Sequence, residues 1–150
     1  MKLESIVCAI IDFYGIKVLI PATEISKEFN NDKKLLRNMM GAEIRFMIVE
    51  ADRISEKAVG SRIKAMERLN EINMKKIVVG DKIYAQIVGL WKKYIRVECL
   101  GIDYIIKAKD LQYGYIDDVS KVYKINEQIK VIIKDIDEKS HTIKYLLRTY

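Results

Sequence analysis

Residues suited to gripping a nucleic-acid strand crowd into one half of the chain. The single Trp and eight of the nine Tyr fall in residues 73–150, with 15 Lys/Arg against 10 Asp/Glu. Residues 1–72 hold 12 and 11. Aromatic faces stack on unpaired bases and cations meet phosphates, so the combination suits single-stranded nucleic acid. Tyr94–Cys99 alternates cleanly: Ile95, Val97 and Cys99 share one face, and Tyr94, Arg96 and Glu98 share the other. Tyr94 and Arg96 are therefore expected to face solvent. Tyr is also a good strand former and a modest Lys excess is ordinary, so composition alone leaves a plain β domain open.

Catalytic motifs are missing. One His, two isolated Cys and no Cys-x-x-Cys exclude ordinary zinc spacing. Gly-x-Ser-x-Gly, Walker and His-Glu-x-x-His patterns do not occur. Asp117-Asp118 sits in an irregular, Lys-flanked stretch and reads as a solvated loop. The expectation is a non-catalytic binding protein with no cofactor and no metal. Cys8 and Cys99 lie in predicted strands and read as buried free thiols of a cytoplasmic protein. No run of eighteen apolar residues occurs, so no membrane span is expected. MKLESIVCAIIDF lacks the pattern of a signal peptide.

The elements that must position these residues come in two similar sets. Gly41–Arg62 parallels Asn126–Arg148: Ile44, Phe46 and Ile48 match Ile129, Val131 and Ile133, and Asp52 matches Asp137. Each reads as a hairpin, with apolar residues at every second position and a polar turn after the Asp. Upstream, Gly15–Ile25 lines up with Gly101–Leu111 without a gap. In the first set, residues 5–13 and 15–21 read as a hairpin turning at Tyr14-Gly15, and Pro21 ends the second strand. Asn31 or Asp32 can cap a short helix carrying Leu35, Leu36 and Met39, which Gly41 ends. Strands 43–51 and 57–61 follow. Ile63, Met66 and Leu69 then recur at helical spacing over Arg62–Glu71, capped by Ser61. In the second set, strands are expected at 82–89, 94–99, 102–107, 128–136 and 141–148, with Asp110–Lys124 irregular. Five strands with a helical insert before the fourth is the plan of an OB-fold barrel.

The stretch GDKIYAQIVGLWKKYIRVECLGIDYIIKAKDL…VYKINEQIKVIIKDIDEKSHTIKYLLR resembles the ribosomal protein S-one RNA-binding domain. Gly80-Asp81, Trp91 with Tyr94, Gly101, Asp137 and the closing strand fit that family's pattern in order and spacing. The first set resembles a diverged copy. The pair together is similar to small S-one-like proteins of phages and mobile elements in Gram-positive bacteria. The resemblance implies an RNA face on which Trp91 and Tyr94 hold the two stacking positions. Lys107 takes the family's His position, Asp137 its Asp, and His141 or Thr142 its following basic residue, with Lys144 on the same outward parity. Three departures stand out. Lys107 lacks the ring of a His, Asn126 replaces a usual Gly, and Lys109 replaces a usual Ser. The first set has no aromatic pair, so it is not expected to bind RNA itself.

The full expectation is a mainly β chain of two tandem OB-fold units, 1–72 and 73–150, joined by an amphipathic helix. It binds single-stranded RNA through Trp91, Tyr94, Lys92, Lys93, Arg96, Lys107, Asp137, His141 and Lys144. Alternatives are a protein-interaction module or a single-stranded DNA binder. With only Met1–Ser5 before its second strand, the first unit is expected to lack its first strand. An open seam is therefore expected, covered by the linking helix or by a second chain in a homodimer. A shortened form of a longer family member is the third option.

Overall fold

The computed structural model describes residues 8–27, 33–111, 117–137, 139 and 142–149. They form two compact units, one within Met1–Arg37 and Ile44–Met66, the other within Asn38–Glu43 and Glu67–Tyr150. The fold is mainly β, with a four-stranded sheet in the first unit and a five-stranded, nearly closed, OB-like barrel in the second.

In the first unit, β1 (Cys8–Phe13) and β2 (Ile16–Pro21) pair antiparallel from Phe13↔Ile16 to Cys8↔Pro21. Their turn uses Tyr14 at φ 52° and Gly15 at φ 84°. Two positive φ angles define the hairpin turn whose twist matches paired strands. The Asp12 carboxylate steadies the turn by accepting from the Gly15 N–H at 3.1 Å. Pro21 has no N–H for a ladder, and the chain leaves the strand there for a short helix, α1 (Ala22–Ile25). A second short helix, α2, covers Lys33–Arg37. It ends four residues before Gly41, earlier than expected, and the expected caps Asn31 and Asp32 lie outside the described residues.

The strand expected at 43–51 begins only at Met47: β3 is Met47–Asp52 and pairs antiparallel with β4 (Lys57–Ser61). Asp52 organises their turn, accepting from the Ile54 N–H at 3.0 Å and the Ser55 hydroxyl at 2.9 Å. These bonds hold its carboxyl below the usual carboxylate range. β4 lies parallel to β2, giving the order β1-β2-β4-β3. Val18, Ile20, Ala22, Ile25 and Ala58 make the core. A long helix, α3 (Arg62–Asn73), follows. Ser61 caps it as expected, accepting from the Lys64 N–H at 3.1 Å. Its buried Arg62 donates to the Ile25 carbonyl at 3.0 Å, on the α1 side of the sheet.

In the second unit, β5 (Lys82–Leu90) lies between β6 (Tyr94–Cys99) and β8 (Gln128–Asp137), antiparallel to both. β7 (Ile102–Lys107) flanks β6, a one-turn helix α4 (Ala108–Leu111) follows it, and β9 (Thr142–Arg148) flanks β8. The β6–β7 turn repeats the β1–β2 turn, with Leu100 at φ 53° and Gly101 at φ 81°. Ala85, Ile87, Ile95, Val97, Val131 and Ile133 fill the barrel with no exposed surface. Cys99 is buried beside them, and burial, with Glu98 and Asp103 nearby, pushes its thiol up to about 12. Among the described residues no helix is long and apolar enough to cross a membrane.

Candidate nucleic-acid interface

Trp91 and Tyr94 are brought together at the β5–β6 turn. Their rings stack with centroids 4.9 Å apart and planes 17° from parallel. The Trp91 N–H donates to the Tyr94 carbonyl at 3.0 Å, closing the turn. Gly89 makes room for the indole: a Cβ there would sit 2.6 Å from a Trp91 ring carbon. Trp91 is thus folded back onto the barrel, and both rings are half-buried.

The cations surround this platform unevenly. Lys107 pairs with Tyr94 across β6 and β7 and is exposed, so a charge stands beside the ring. Lys92 and Lys93 are exposed in the turn itself. The backbone of that turn is pinned, because the Lys92 carbonyl accepts from the Val119 N–H at 2.8 Å and the Lys93 carbonyl from the Ala108 N–H at 3.0 Å. Beneath it, Asp118 caps a single 3-10 turn at Val119–Lys121, and its bond with Ser120 holds its carboxyl low. Lys144 is exposed on β9, 3.9 Å from Asp135, an ion pair that water screens heavily.

One expected site residue reads differently in the structure. Arg96 was expected to face solvent and is only 3 % exposed; its guanidinium donates to Asp103 at 3.0 Å. Its strand neighbour Glu98 is 6 % exposed, so this face of β6 is covered. Alternation tells the two faces of a strand apart but does not tell whether the second face is also covered. Asp137 accepts from the Lys139 N–H at 3.0 Å, the same turn-forming bond that Asp52 makes in the first unit. His141 lies outside the described residues.

Sequence reasoning underrated Asn126. Placed at φ 72°, it adopts the left-handed backbone that the usual Gly would take. Its side chain adds what Gly cannot: it donates to the Gly41 carbonyl at 2.9 Å and accepts from the Glu43 N–H at 2.8 Å. Gln86 completes the clamp, donating to the Glu43 carbonyl and to Asn126, each at 2.9 Å. A Gly-to-Asn departure was itself the available signal, since Asn and Asp visit this conformation more readily than other residues besides Gly.

An OB-like barrel carrying an aromatic pair beside exposed lysines is the class these features define. No protein-family model matches the chain. It is 22% identical over 129 residues to the small ribosomal subunit protein bS1 of Synechococcus sp., covering 86% of this chain and 39% of that protein. Against bS1 of Staphylococcus aureus it is 22% identical over 138 residues, 89% of this chain and 34% of the relative. A match to 4-hydroxy-3-methylbut-2-enyl diphosphate reductase of Clostridium acetobutylicum is 25% identical over 137 residues, but only 21% of that enzyme. The chain therefore spans about two fifths or less of these relatives. Weak similarity to bS1 across most of the chain supports an S-one-like domain.

Proposed function

We propose that this chain is a non-catalytic, cytoplasmic single-stranded RNA-binding protein whose second barrel holds the strand. The observation that carries the reading is the stacked Trp91–Tyr94 platform with Lys107 directly across from Tyr94. Bases stack on the exposed part of this ring pair, and Lys92, Lys93, Lys107 and Lys144 meet phosphates. Arg96 and Asp137 support the barrel and its turn instead. The bS1 similarity supports the choice of RNA over DNA. The matched turns at Tyr14-Gly15 and Leu100-Gly101, and the matched roles of Asp52 and Asp137, support reading the units as two copies of one domain. Their resemblance to small S-one-like proteins of phages and mobile elements supports a transcript of such an element as the target.

Fluorescence anisotropy with labelled single-stranded RNA and DNA at two salt concentrations tests this. RNA should bind more tightly and lose affinity as salt rises. Equal affinity for DNA would change the ligand, and affinity for neither at low salt would end the reading. A second reading, a protein-interaction role that includes self-association, is favoured by one observation: the first unit's sheet leaves two outer strands without a partner strand among the described residues.

A further inference from the structure

The pairing of a ring with a lysine occurs twice on the second barrel. Tyr94 of β6 stands directly across from Lys107 of β7, and Tyr84 of β5 stands directly across from Lys130 of β8. Between β5 and β8 the inward couples are Ile83 with Val131 and Ala85 with Ile129. The couples alternating with them point outward: Lys82 with Ile132, Tyr84 with Lys130, and Gln86 with Gln128. Those six side chains include two cations, one ring and no carboxylate. Tyr84 is 66 % exposed, the most of any aromatic among the described residues of this unit. The bordering carboxylates are placed elsewhere. Asp81 accepts from the Val78 N–H at 2.9 Å, Glu43 meets this face through its backbone carbonyl at Gln86, and Glu127 stands just before β8.

We propose that the outer face of β5 and β8 is a second contact surface for the same single-stranded RNA, where Tyr84 stacks a base and Lys82 and Lys130 meet phosphates. This extends the RNA reading and rests on it. Directly opposed residues of paired strands hold their Cβ atoms about 4.5–5.5 Å apart, so ring and ammonium reach a single nucleotide together. The base lies on the ring while its own phosphate lies beside the cation. An acidic peptide would use the lysines and leave the exposed ring without a role, which favours the nucleic acid. Reach is no obstacle. Tyr84 precedes Trp91 by seven residues, so at most about 25 Å of chain separates the two rings. An OB fold engages about 4–16 nucleotides, and one strand of that length passes from the platform to Tyr84. Every base has a π face and every nucleotide a phosphate, so this surface lengthens the footprint without choosing a sequence.

The test measures binding of labelled oligouridylates of four and twelve nucleotides to the full chain by anisotropy. Tyr84→Ala should weaken the twelve-mer about fivefold or more, the loss of one stacked base, and leave the four-mer, which the platform alone holds, unchanged. Tyr84→Phe keeps the ring and should keep the affinity. Lys130→Ala should lower the slope of log affinity against log salt by about 0.7 for the twelve-mer, one phosphate contact on a single strand. Unchanged twelve-mer affinity in Tyr84→Ala overturns the proposal, and the RNA reading survives if Trp91→Ala still weakens both oligomers. Equal losses for the two lengths also overturn it, since Tyr84 would then act through the barrel. So does polyglutamate binding that Lys130→Ala weakens and Tyr84→Ala does not, which would give the face to acidic chains. Binding of neither oligomer by the unaltered chain would end the RNA reading and this proposal together.

Discussion

The two units share their hairpins and differ in one strand. In the second, β5 pairs with β6 and β8 and hides the apolar row between them. In the first, β1 and β3 carry a comparable apolar row that lies half open. Burying a side chain of Ile or Phe size contributes about 1.5–3 kcal/mol, so one strand decides where a unit's stability resides. A sealed barrel can hold a rigid ring platform on its rim. An open sheet offers backbone and apolar surface to a strand.

The comparison breaks most visibly at buried positions. Arg96→Ala should cost the second unit about 3–5 kcal/mol, because it removes a guanidinium that is only 3 % exposed and its ion pair with the half-buried Asp103. Urea unfolding followed by the lone Trp91, which sits in that unit, reads it directly. A loss under 1 kcal/mol would return Arg96 to the surface. Ile133→Ala should cost about 2–5 kcal/mol, whereas Ile48→Ala at the matching open position should cost less than about 1 kcal/mol, read by hydrogen exchange in β2. Equal costs would mean the first unit is sealed too.

Smaller effects concern binding. Trp91→Ala and Tyr94→Ala should each weaken RNA binding by about 1–3 kcal/mol without melting the barrel, while Tyr14→Ala in the first unit should leave affinity unchanged. Lys107→Ala should weaken binding less and flatten the salt dependence by about one phosphate contact, measured as the slope of affinity against salt. The smallest effect is the acid limb of the first unit. Asp52 is held below the ordinary value of an aspartate by its turn bonds, so its contribution is present above that ordinary value and fades as pH falls through the folded one. Asp52→Asn should remove this limb from an acid titration of the β3–β4 turn amides.

Local pattern carried much of this fold. Alternation gave Ile95, Val97 and Cys99 as core, the two-residue turn placed Tyr14-Gly15, and Ser61 announced α3. Where a partner element decides the outcome, sequence was silent. The late start of β3 is such a case. Asn38–Glu43 belongs with the second unit, and Asn126 and Gln86 bond Gly41 and Glu43 there. The cover over Arg96 and Glu98 is another, since a period of two is blind to what lies on the far face. At the candidate site, the family resemblance pointed to the Trp91–Tyr94 pair. That the rings stack on one another over Gly89 depends on a close approach that spacing does not express.

The buried thiol of Cys99 turns the second unit into its own clock. Thiolate is the species that attacks an alkylating reagent, and a thiol pushed up to about 12 supplies almost none at neutral pH. Modification of Cys99 must then wait for the barrel to open, so its labelling rate counts openings. Cys8, half-buried on the outer strand of the first unit, is the natural second channel. Two cysteines at two speeds would report the opening of each unit in a single reaction tube, with no probe added to the chain.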